Sequence, residues 1–361
     1  MEKIRKKFPV LQQYIYANTA ATGLLSEDLL EWRQEHDLDY LIGGSMMKMN
    51  SNKLHSQTRK VVGEFFNCPS DNVALVPSFT IGLNMLLEGL DKNEKILLLK
   101  GDYPSLNWPF ESRGFDIQFV DITHDVEEQI FNKVKKESIT VLALSMVQWL
   151  NGVKIDLEFL TKLKSSFPEL MIIADGTQFL GTSNFDFSSS ALDIIGASAY
   201  KWLLAGFGNG LLLIDEKVMH RFSLVSNGYG SGRNVVEQGH KRTFCKRLEP
   251  GHLDSLNFGS LEFGLNFLSG IGMNTVDLKM KELATTAKEI FTELGLLEKN
   301  VVNREQHSTI FNIKASQEVF TKLTQENVIC AQRGDGIRIS FHFYNTINEI
   351  KAIAEILKNA N

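Results

Sequence analysis

Three short segments place side chains that can do chemistry directly after apolar runs. The segment "MIIADGTQ" ends its apolar run on Asp175, and "GASAYKW" follows another run with Lys201. In "VPSFTIGLN", Ser78 lies between a third run and a predicted helix. Lysine is usually a surface residue, so a lysine beside a predicted buried strand requires an explanation.

Together the segments offer an amine, a carboxylate and an anion site. A lysine amine can form a Schiff base with a carbonyl group, and a helix N-terminus with hydroxyl groups binds anions. Each residue also has an ordinary structural explanation, because Asp175 and Ser78 belong to the residue types that cap helices. As a set, the segments suit a phosphorylated cofactor with a carbonyl group and a ring nitrogen.

Short apolar runs and helical patterns alternate through the middle of the chain and must position these residues. The runs include "NVALV", "KILLLK", "TVLALS", "MIIAD", "IIGAS" and "GLLLI", and the segments between them, such as "FTIGLNMLLEGL", are typical of helices. Continuous apolar strands that alternate with helices predict an α/β fold with a mostly parallel sheet covered on both faces. Ligands bind beyond the carboxyl ends of such strands, where Lys201 and Asp175 are expected.

The C-terminal part has a different pattern, which indicates a small α+β domain. A long amphipathic helix, "VDLKMKELATTAKEIFTELG", precedes two predicted strands, "STIFNIKA" and "GIRISFHFY". The last helix begins at Thr346 with Glu349 three residues later, which is a capping-box pattern. We assign residues 20–260 to a large domain, and residues 1–19 and 261–361 to the small domain.

The composition predicts a cytoplasmic protein without nucleic-acid or membrane partners. The chain has 361 residues, an apolar fraction of 43% and a formal net charge of −5, and it has no basic run that favours nucleic acid. The N-terminal segment lacks the apolar core of a signal peptide, and no apolar stretch is long enough to span a bilayer. Three widely separated cysteines fit neither a disulfide framework nor a metal site.

Four motifs resemble those of the class-V aminotransferase group of fold-type-I pyridoxal-phosphate (PLP) enzymes. This group includes cysteine desulfurases, kynureninases and isopenicillin-N-epimerase-like proteins. The motifs are "YIYANTAATG", "DGTQ", "SAYKW" and "GDGIRISFHFYNT", in the family's order. Lys201 follows Asp175 by 26 residues, a spacing typical of the family. The resemblance implies a seven-stranded sheet in the large domain, PLP as the cofactor and a homodimer.

The resemblance also implies roles for the residues at the strand ends. Lys201 would hold PLP as a Schiff base and move the substrate's α-proton, and Asp175 would pair with the pyridine nitrogen. Gln178 would hydrogen-bond the phenolic oxygen, and Tyr103 would stack on the ring. The phosphate would be bound by Phe79, Thr80, Ser198 and Tyr200. At the last of these positions, cysteine desulfurases have histidine and kynureninase-like members have tyrosine.

Two residues are implied to bind an amino-acid substrate. Arg338 matches the arginine that binds the α-carboxylate, for which a planar bidentate donor is suited, although a strand arginine can also form a surface ion pair. Trp149 stands where desulfurases carry an asparagine, and it either lines the pocket or packs in the core. His252 replaces the threonine of a loop that, in family dimers, reaches the partner's phosphate. Residues 226–235 are expected near the same pocket.

The motifs identify the cofactor, but they leave several reactions open. Cys330 lies near the position of the nucleophilic cysteine of desulfurases, but the sequence predicts a buried apolar residue within a strand. We therefore disfavour desulfuration and expect aminotransferase-like turnover. An epimerase and a kynureninase-like hydrolase or lyase are the alternatives. A non-catalytic PLP-fold binding protein is a further alternative, against which the presence of both Lys201 and Asp175 counts.

Overall fold

A computed structural model describes residues 1–231 and 243–359. The strands are β1 Ile15–Tyr16, β2 Val73–Val76, β3 Lys95–Lys100, β4 Asp116–Asp121, β5 Val141–Ser145, β6 Met171–Asp175, β7 Ile194–Ser198, β8 Gly210–Ile214, β9 Ile310–Ile313, β10 Val328–Ile329, β11 Ala331–Arg333 and β12 Gly336–Ser340. The helices are α1 Glu2–Arg5, α2 Glu27–Gly43, α3 Met47–Phe66, α4 Phe79–Glu88, α5 Pro104–Glu111, α6 Val126–Glu137, α7 Leu157–Ser166, α8 Ser255–Ile271, α9 Met273–Glu293, α10 Lys299–Val302, α11 Gln317–Gln325 and α12 Ile347–Lys358. None of these helices is long and apolar enough to cross a bilayer.

The central sheet has seven strands in the order β2-β8-β7-β6-β5-β3-β4. Strand β8 runs antiparallel to β2 and β7, whereas the remaining neighbours pair in parallel. The predicted α/β fold with a mostly parallel, seven-stranded sheet is therefore confirmed.

Both faces of this sheet are buried, because successive side chains of each strand enter different apolar clusters. In β3, Leu97 and Leu99 pack in one cluster, whereas Ile96 and Leu98 pack in the other. A strand covered on both faces needs apolar residues at every position rather than at alternate ones. This requirement explains the continuous runs in the sequence.

The parallel strands end at one edge of the sheet. Ser145 at the end of β5 pairs with Asp175 at the end of β6, which pairs in turn with Gly196 of β7. Ser198 at the end of β7 and Val76 at the end of β2 both lie opposite Gly210. The segments that follow β2, β3, β5, β6 and β7 therefore leave the sheet side by side.

A second sheet, with antiparallel order β11-β12-β9, covers a third apolar cluster in the C-terminal part. The N-terminal segment joins this part, since β1 pairs in parallel with β10 and the Ser340 N–H donates to the Ala17 carbonyl oxygen at 2.8 Å. The division into residues 20–260 on one side and residues 1–19 with 261–361 on the other stays a prediction.

The predicted end of the last strand is wrong, whereas the predicted start of the last helix is confirmed. The predicted strand "GIRISFHFY" is too long, because β12 ends at Ser340 and the chain then turns, with the His342 N–H bonded to Asn345 Oδ1 at 2.8 Å. The capping box at Thr346 and Glu349 is confirmed at the start of α12.

A buried ion pair attaches α3 to the edge of the large sheet. The Glu249 carboxylate is paired with Arg59, and both side chains are buried. Glu249 also accepts from Lys246 Nζ at 3.0 Å and from the Leu75 N–H of β2 at 2.9 Å. Removing one partner of such a group leaves the other charge without compensation in the interior.

We expect Glu249→Ala to lower the free energy of unfolding by about 3–5 kcal/mol, because Arg59 loses its buried partner. The urea unfolding midpoint, followed by circular dichroism, measures this loss. Glu64→Ala is the matched control, since Glu64 pairs with Lys60 on the exposed face of α3 and its loss should cost no more than about 0.5 kcal/mol. Equal midpoints for the two variants would contradict the expectation.

Candidate active site

Lys201 lies just beyond the end of β7, and it is only 5% exposed. Its Nζ is 5.5 Å from the ring centroids of both Tyr103 and Tyr200. Burial lowers the pKa of Lys201 to about 8, and the charge of the Asp175 carboxylate opposes this shift. A substantial fraction of the amine is therefore neutral, and so nucleophilic, near pH 8.

The N-terminal segment closes over the backbone of Lys201. The Gly23 N–H donates to the Tyr200 carbonyl oxygen at 2.9 Å. A Cβ at residue 23 would lie 1.9 Å from the Lys201 carbonyl oxygen, so only glycine fits there. This close approach gives a steric reason for the glycine of "YIYANTAATG".

Asp175 is buried at the end of β6, and its Oδ1 accepts from the Thr177 N–H at 2.8 Å. Burial raises the pKa of Asp175 to about 6, while hydrogen bonds from Thr177 and the charge of Lys201 act in the opposite direction. The carboxylate is therefore mostly ionised at pH 7, and it can stabilise a cationic ring nitrogen.

The start of α4 lies beside the end of β7. Ser78 caps this helix through a hydrogen bond from the Ile81 N–H at 3.3 Å. The Phe79 N–H donates to Ser198 Oγ at 3.0 Å, so the structure brings Phe79 and Ser198 together, and their binding of a phosphate stays a prediction. The Thr80 hydroxyl makes no hydrogen bond within the described residues, which leaves it able to bind a phosphate at the positive end of the helix.

Gln178 joins the N-terminal segment to the residue after the lysine. Its Nε2 donates to the Ala20 carbonyl oxygen at 3.0 Å, and its Oε1 accepts from Trp202 Nε1 at 2.6 Å. One of the two amide hydrogens is thus engaged with Ala20, and the second remains for a ligand. The predicted bond to the phenolic oxygen of PLP stays a prediction.

Aromatic rings surround the amine of Lys201. The Tyr103 ring lies 5.8 Å from that of Trp149, and the predicted role of Trp149 in lining the substrate pocket stays a prediction. On the other side, Tyr200 stacks on Phe207 with ring centroids 4.5 Å apart. Phe207 was not predicted, although its place between two glycines in "GFGNG" marks an exposed turn.

Arg338 reaches the site from β12. It is 3% exposed, and its Nη1 donates to the Trp149 carbonyl oxygen at 2.8 Å. Within residues 1–231 and 243–359, no carboxylate lies at ion-pair distance from this guanidinium, and its Nε has no hydrogen-bond partner. Burial lowers the pKa of Arg338 to about 10, and the nearby Tyr103 and Tyr200 act in the opposite direction.

Sequence reasoning missed Asp102, which is buried one residue before Tyr103. Its carboxylate accepts from the Tyr103 N–H at 2.7 Å, the Ser145 N–H at 2.8 Å and Gln148 Nε2 at 3.2 Å. The sequence pattern that pointed to Asp175 could also have identified Asp102, because Asp102 closely follows a continuous apolar run in "KILLLKGD".

The structure does not bring His252 together with the Lys201 cluster. The His252 ring stacks on Tyr229 at 5.3 Å. It lines a cavity of about 1010 Å³ that Arg59 and Glu249 also line, and none of the residues predicted to bind PLP lines it. Residues 232–235 of the predicted segment 226–235 lie outside the described residues.

The cysteines lie in apolar clusters. The prediction that Cys330 lies within a strand is wrong, because Cys330 lies in the link between β10 and β11. It packs against the third apolar cluster. Burial raises the pKa of its thiol to about 12. Cys68 and Cys245 are buried in the two clusters of the large sheet.

The family model described as Aminotransferase class-V matches residues 15–353. The chain belongs to the class-V aminotransferase family. A relative in this family, the probable cysteine desulfurase of Pyrococcus abyssi, is 22% identical over 388 residues, which cover 99% of this chain and 96% of that protein.

Solved structures share the fold over nearly the full chain. The apo cysteine desulfurase of Thermococcus onnurineus NA1 has a TM-score of 0.86 at 19% identity, with 99% of this chain and 97% of that chain covered. The cystine C–S lyase C-DES, in complex with its product cysteine persulfide, has a TM-score of 0.85 at 18% identity, with 98% and 100% covered. A C-DES mutant holds glycine covalently linked to its PLP cofactor.

PLP is the cofactor of this class-V protein, and the residues described above fit it. Lys201 supplies a buried amine, Asp175 a buried carboxylate, and the start of α4 a free hydroxyl. The indole Nε1 of Trp149 is buried and has no hydrogen-bond partner among the described residues, as expected beside a site that receives a polar ligand.

The pH dependence of PLP loading tests the environment of Lys201. We expect the rate of covalent attachment to the apo protein to rise about tenfold per pH unit below pH 8 and to level off above it, because the neutral amine reacts and its pKa is lowered to about 8. Stopped-flow absorbance gives the rate. Lys201→Ala, which should hold no covalent PLP after borohydride treatment, is the control. A rate that still climbs about tenfold between pH 8 and pH 9 would show an ordinary lysine, whose pKa is about 10.4.

Proposed function

We propose that the protein is a PLP-dependent, aminotransferase-like enzyme that acts on an amino acid without using an enzyme thiol. The observation that carries the proposal is the Arg338 guanidinium, which is buried beside the site with no carboxylate partner in the described part of the chain. A buried cation without an anion is costly, and a substrate α-carboxylate would compensate it with bidentate hydrogen bonds.

The charges of the site suit this chemistry. When bound, PLP withdraws electrons from the substrate's α-carbon and so acidifies its α-proton. Lys201 would take and return that proton, since its pKa of about 8 makes both protonation states accessible near neutral pH. Asp175, ionised above pH 6, would keep a ring nitrogen protonated, and the Thr80 hydroxyl with the start of α4 would bind the phosphate.

The positions of the cysteines support a reaction that needs no sulfur carrier. A thiol that receives sulfur from a substrate must be exposed and easily ionised, whereas Cys330 packs against an apolar cluster and its pKa is raised to about 12. Transamination transfers the amino group to the bound cofactor and then to a 2-oxo acid, and the protein groups that it uses are the amine, the carboxylate and the arginine rather than a thiol. The second candidate is C–S bond cleavage, which the likeness to the lyase C-DES over 98% of the chain favours.

A panel of amino acids, added to the PLP-loaded protein, separates the two reactions. Transamination should convert the bound cofactor to its amine form and yield a 2-oxo acid without sulfide, because only the amino group leaves. C–S cleavage of cystine or cysteine should yield pyruvate and a sulfur product with the cofactor unchanged. Absorbance measures the form of the bound cofactor, and mass spectrometry identifies the products. Cys330→Ala should retain full activity, and its inactivity would overturn the thiol-free proposal.

Arg338→Lys should raise the KM for the amino acid about tenfold or more, because one charge-assisted hydrogen bond to the α-carboxylate is lost. Steady-state kinetics with the preferred amino acid measure this effect. The matched control is Arg333→Lys, at an exposed position of the neighbouring strand β11. An unchanged KM for Arg338→Lys would remove the arginine from the substrate site.

We also propose a homodimer in which His252 contacts the partner's cofactor site. Within one chain His252 lines a cavity apart from the Lys201 cluster, which supports a role across an interface. Light scattering should give twice the mass of the chain. His252→Ala should weaken PLP binding, and mixing it with Lys201→Ala should restore one tight site in each mixed dimer. A monomer that binds PLP fully would contradict this arrangement.

A further inference from the structure

The ends of β3 and β5 separate at the edge of the sheet that carries the site. These strands pair at Ile96 with Val141 and at Leu97 with Leu142, and the ladder does not continue to their ends. Beyond it, the Ser145 N–H of β5 donates to Asp102 Oδ2 at 2.8 Å. A side-chain carboxylate thus replaces the missing backbone partner where the strands diverge.

The other carboxylate oxygen of Asp102 holds two more groups. Oδ1 accepts from the Tyr103 N–H at 2.7 Å and from Gln148 Nε2 at 3.2 Å. A carboxylate can accept all three bonds at once, whereas an asparagine would turn an NH₂ group towards at least one of these donors. An aspartate at position 102 can therefore accept from all three donors, whereas an asparagine cannot.

The groups held by Asp102 lead directly to the predicted cofactor and substrate residues. Tyr103 carries the ring above the amine of Lys201, at 5.5 Å. Gln148 precedes Trp149, whose carbonyl oxygen accepts from Arg338 Nη1 at 2.8 Å. A shift of one carboxylate would therefore move both the ring on one side of the site and the backbone that orients the arginine.

Burial raises the pKa of Asp102, and the hydrogen bonds from Ser145, Tyr103 and Gln148 act in the opposite direction, so N–H donors rather than a cation stabilise its ionised form. Asp102 is 4% exposed, and none of the ion pairs of the described residues includes it. It is also close enough to Asp175 to raise the pKa of that carboxyl. Burying a second carboxylate near the first is unfavourable for stability alone, as expected for a residue kept for the site.

We propose that Asp102 is a positioning residue that fixes the Tyr103 ring over the cofactor and, through Gln148 and Trp149, the orientation of Arg338. The inference rests on the placement of the PLP ring beside Tyr103 that the proposed function uses. It does not depend on which reaction the enzyme catalyses.

The test is the visible circular dichroism of PLP bound to Asp102→Asn, measured at saturating cofactor. The signal per bound PLP reports how the protein holds the ring, and a loss of fold stability alone does not alter it in the folded, saturated protein. We expect a clearly smaller signal than in the unchanged protein, together with a PLP dissociation constant about tenfold higher, because a hydrogen bond to a charged acceptor is lost. A saturated signal equal to that of the unchanged protein would overturn the proposal.

Two further variants keep the test decisive. Asp121→Asn is the matched control, because Asp121 ends the neighbouring strand β4, opposite Lys100, and is exposed; it should leave the signal unchanged. If Asp102→Asn does not fold, Gln148→Met removes one of the three donors without stranding a charge. A reduced saturated signal in that variant supports the proposal, and an unchanged one overturns it. Absence of covalent PLP in the unchanged protein would instead refute the proposed function.

Discussion

The burial of one amine and two carboxylates at a single edge of the sheet is the constraint on which the site depends. Lys201 and Asp175 are each shifted towards their neutral forms by burial, and each partly offsets the shift of the other through its charge. Such groups are tolerated where backbone donors and a polar ligand compensate them. The carboxyl ends of the parallel strands and the start of α4 provide those donors at one place.

The sequence predicted the sheet and the location of the site because both follow from simple local patterns. Strands buried on both faces must be continuously apolar, and side chains after Asp175 and Ser198 must emerge at the same edge. The role of Asp102 did not follow from the sequence, because its three donors come from residues up to 46 positions away. Likewise, the length of β12 depends on the turn between His342 and Asn345, which local propensity does not reveal.

The fold is shared with proteins named as desulfurases, so the fold alone does not identify the reaction of this chain. The backbone follows the cysteine desulfurase of Thermococcus onnurineus NA1 with a TM-score of 0.86, yet Cys330 packs against the apolar cluster of the small sheet. A fold of this kind supports several reactions, and side chains at the site select among them. The same scaffold therefore leaves room for chemistry on the amino group.

The contact between Gly23 and Lys201 has a consequence for the order in which the protein can become functional. The N-terminal segment reaches the lysine while it is held by β12, since the Ala20 N–H donates to Ser340 Oγ at 2.9 Å. Segments from the N-terminal and C-terminal parts of the chain thus meet beside Lys201. During synthesis, the enclosure of Lys201 must wait until β12 has left the ribosome. Because a ligand that binds the folded state stabilises it over the unfolded one, bound PLP would favour chains in which this enclosure has formed.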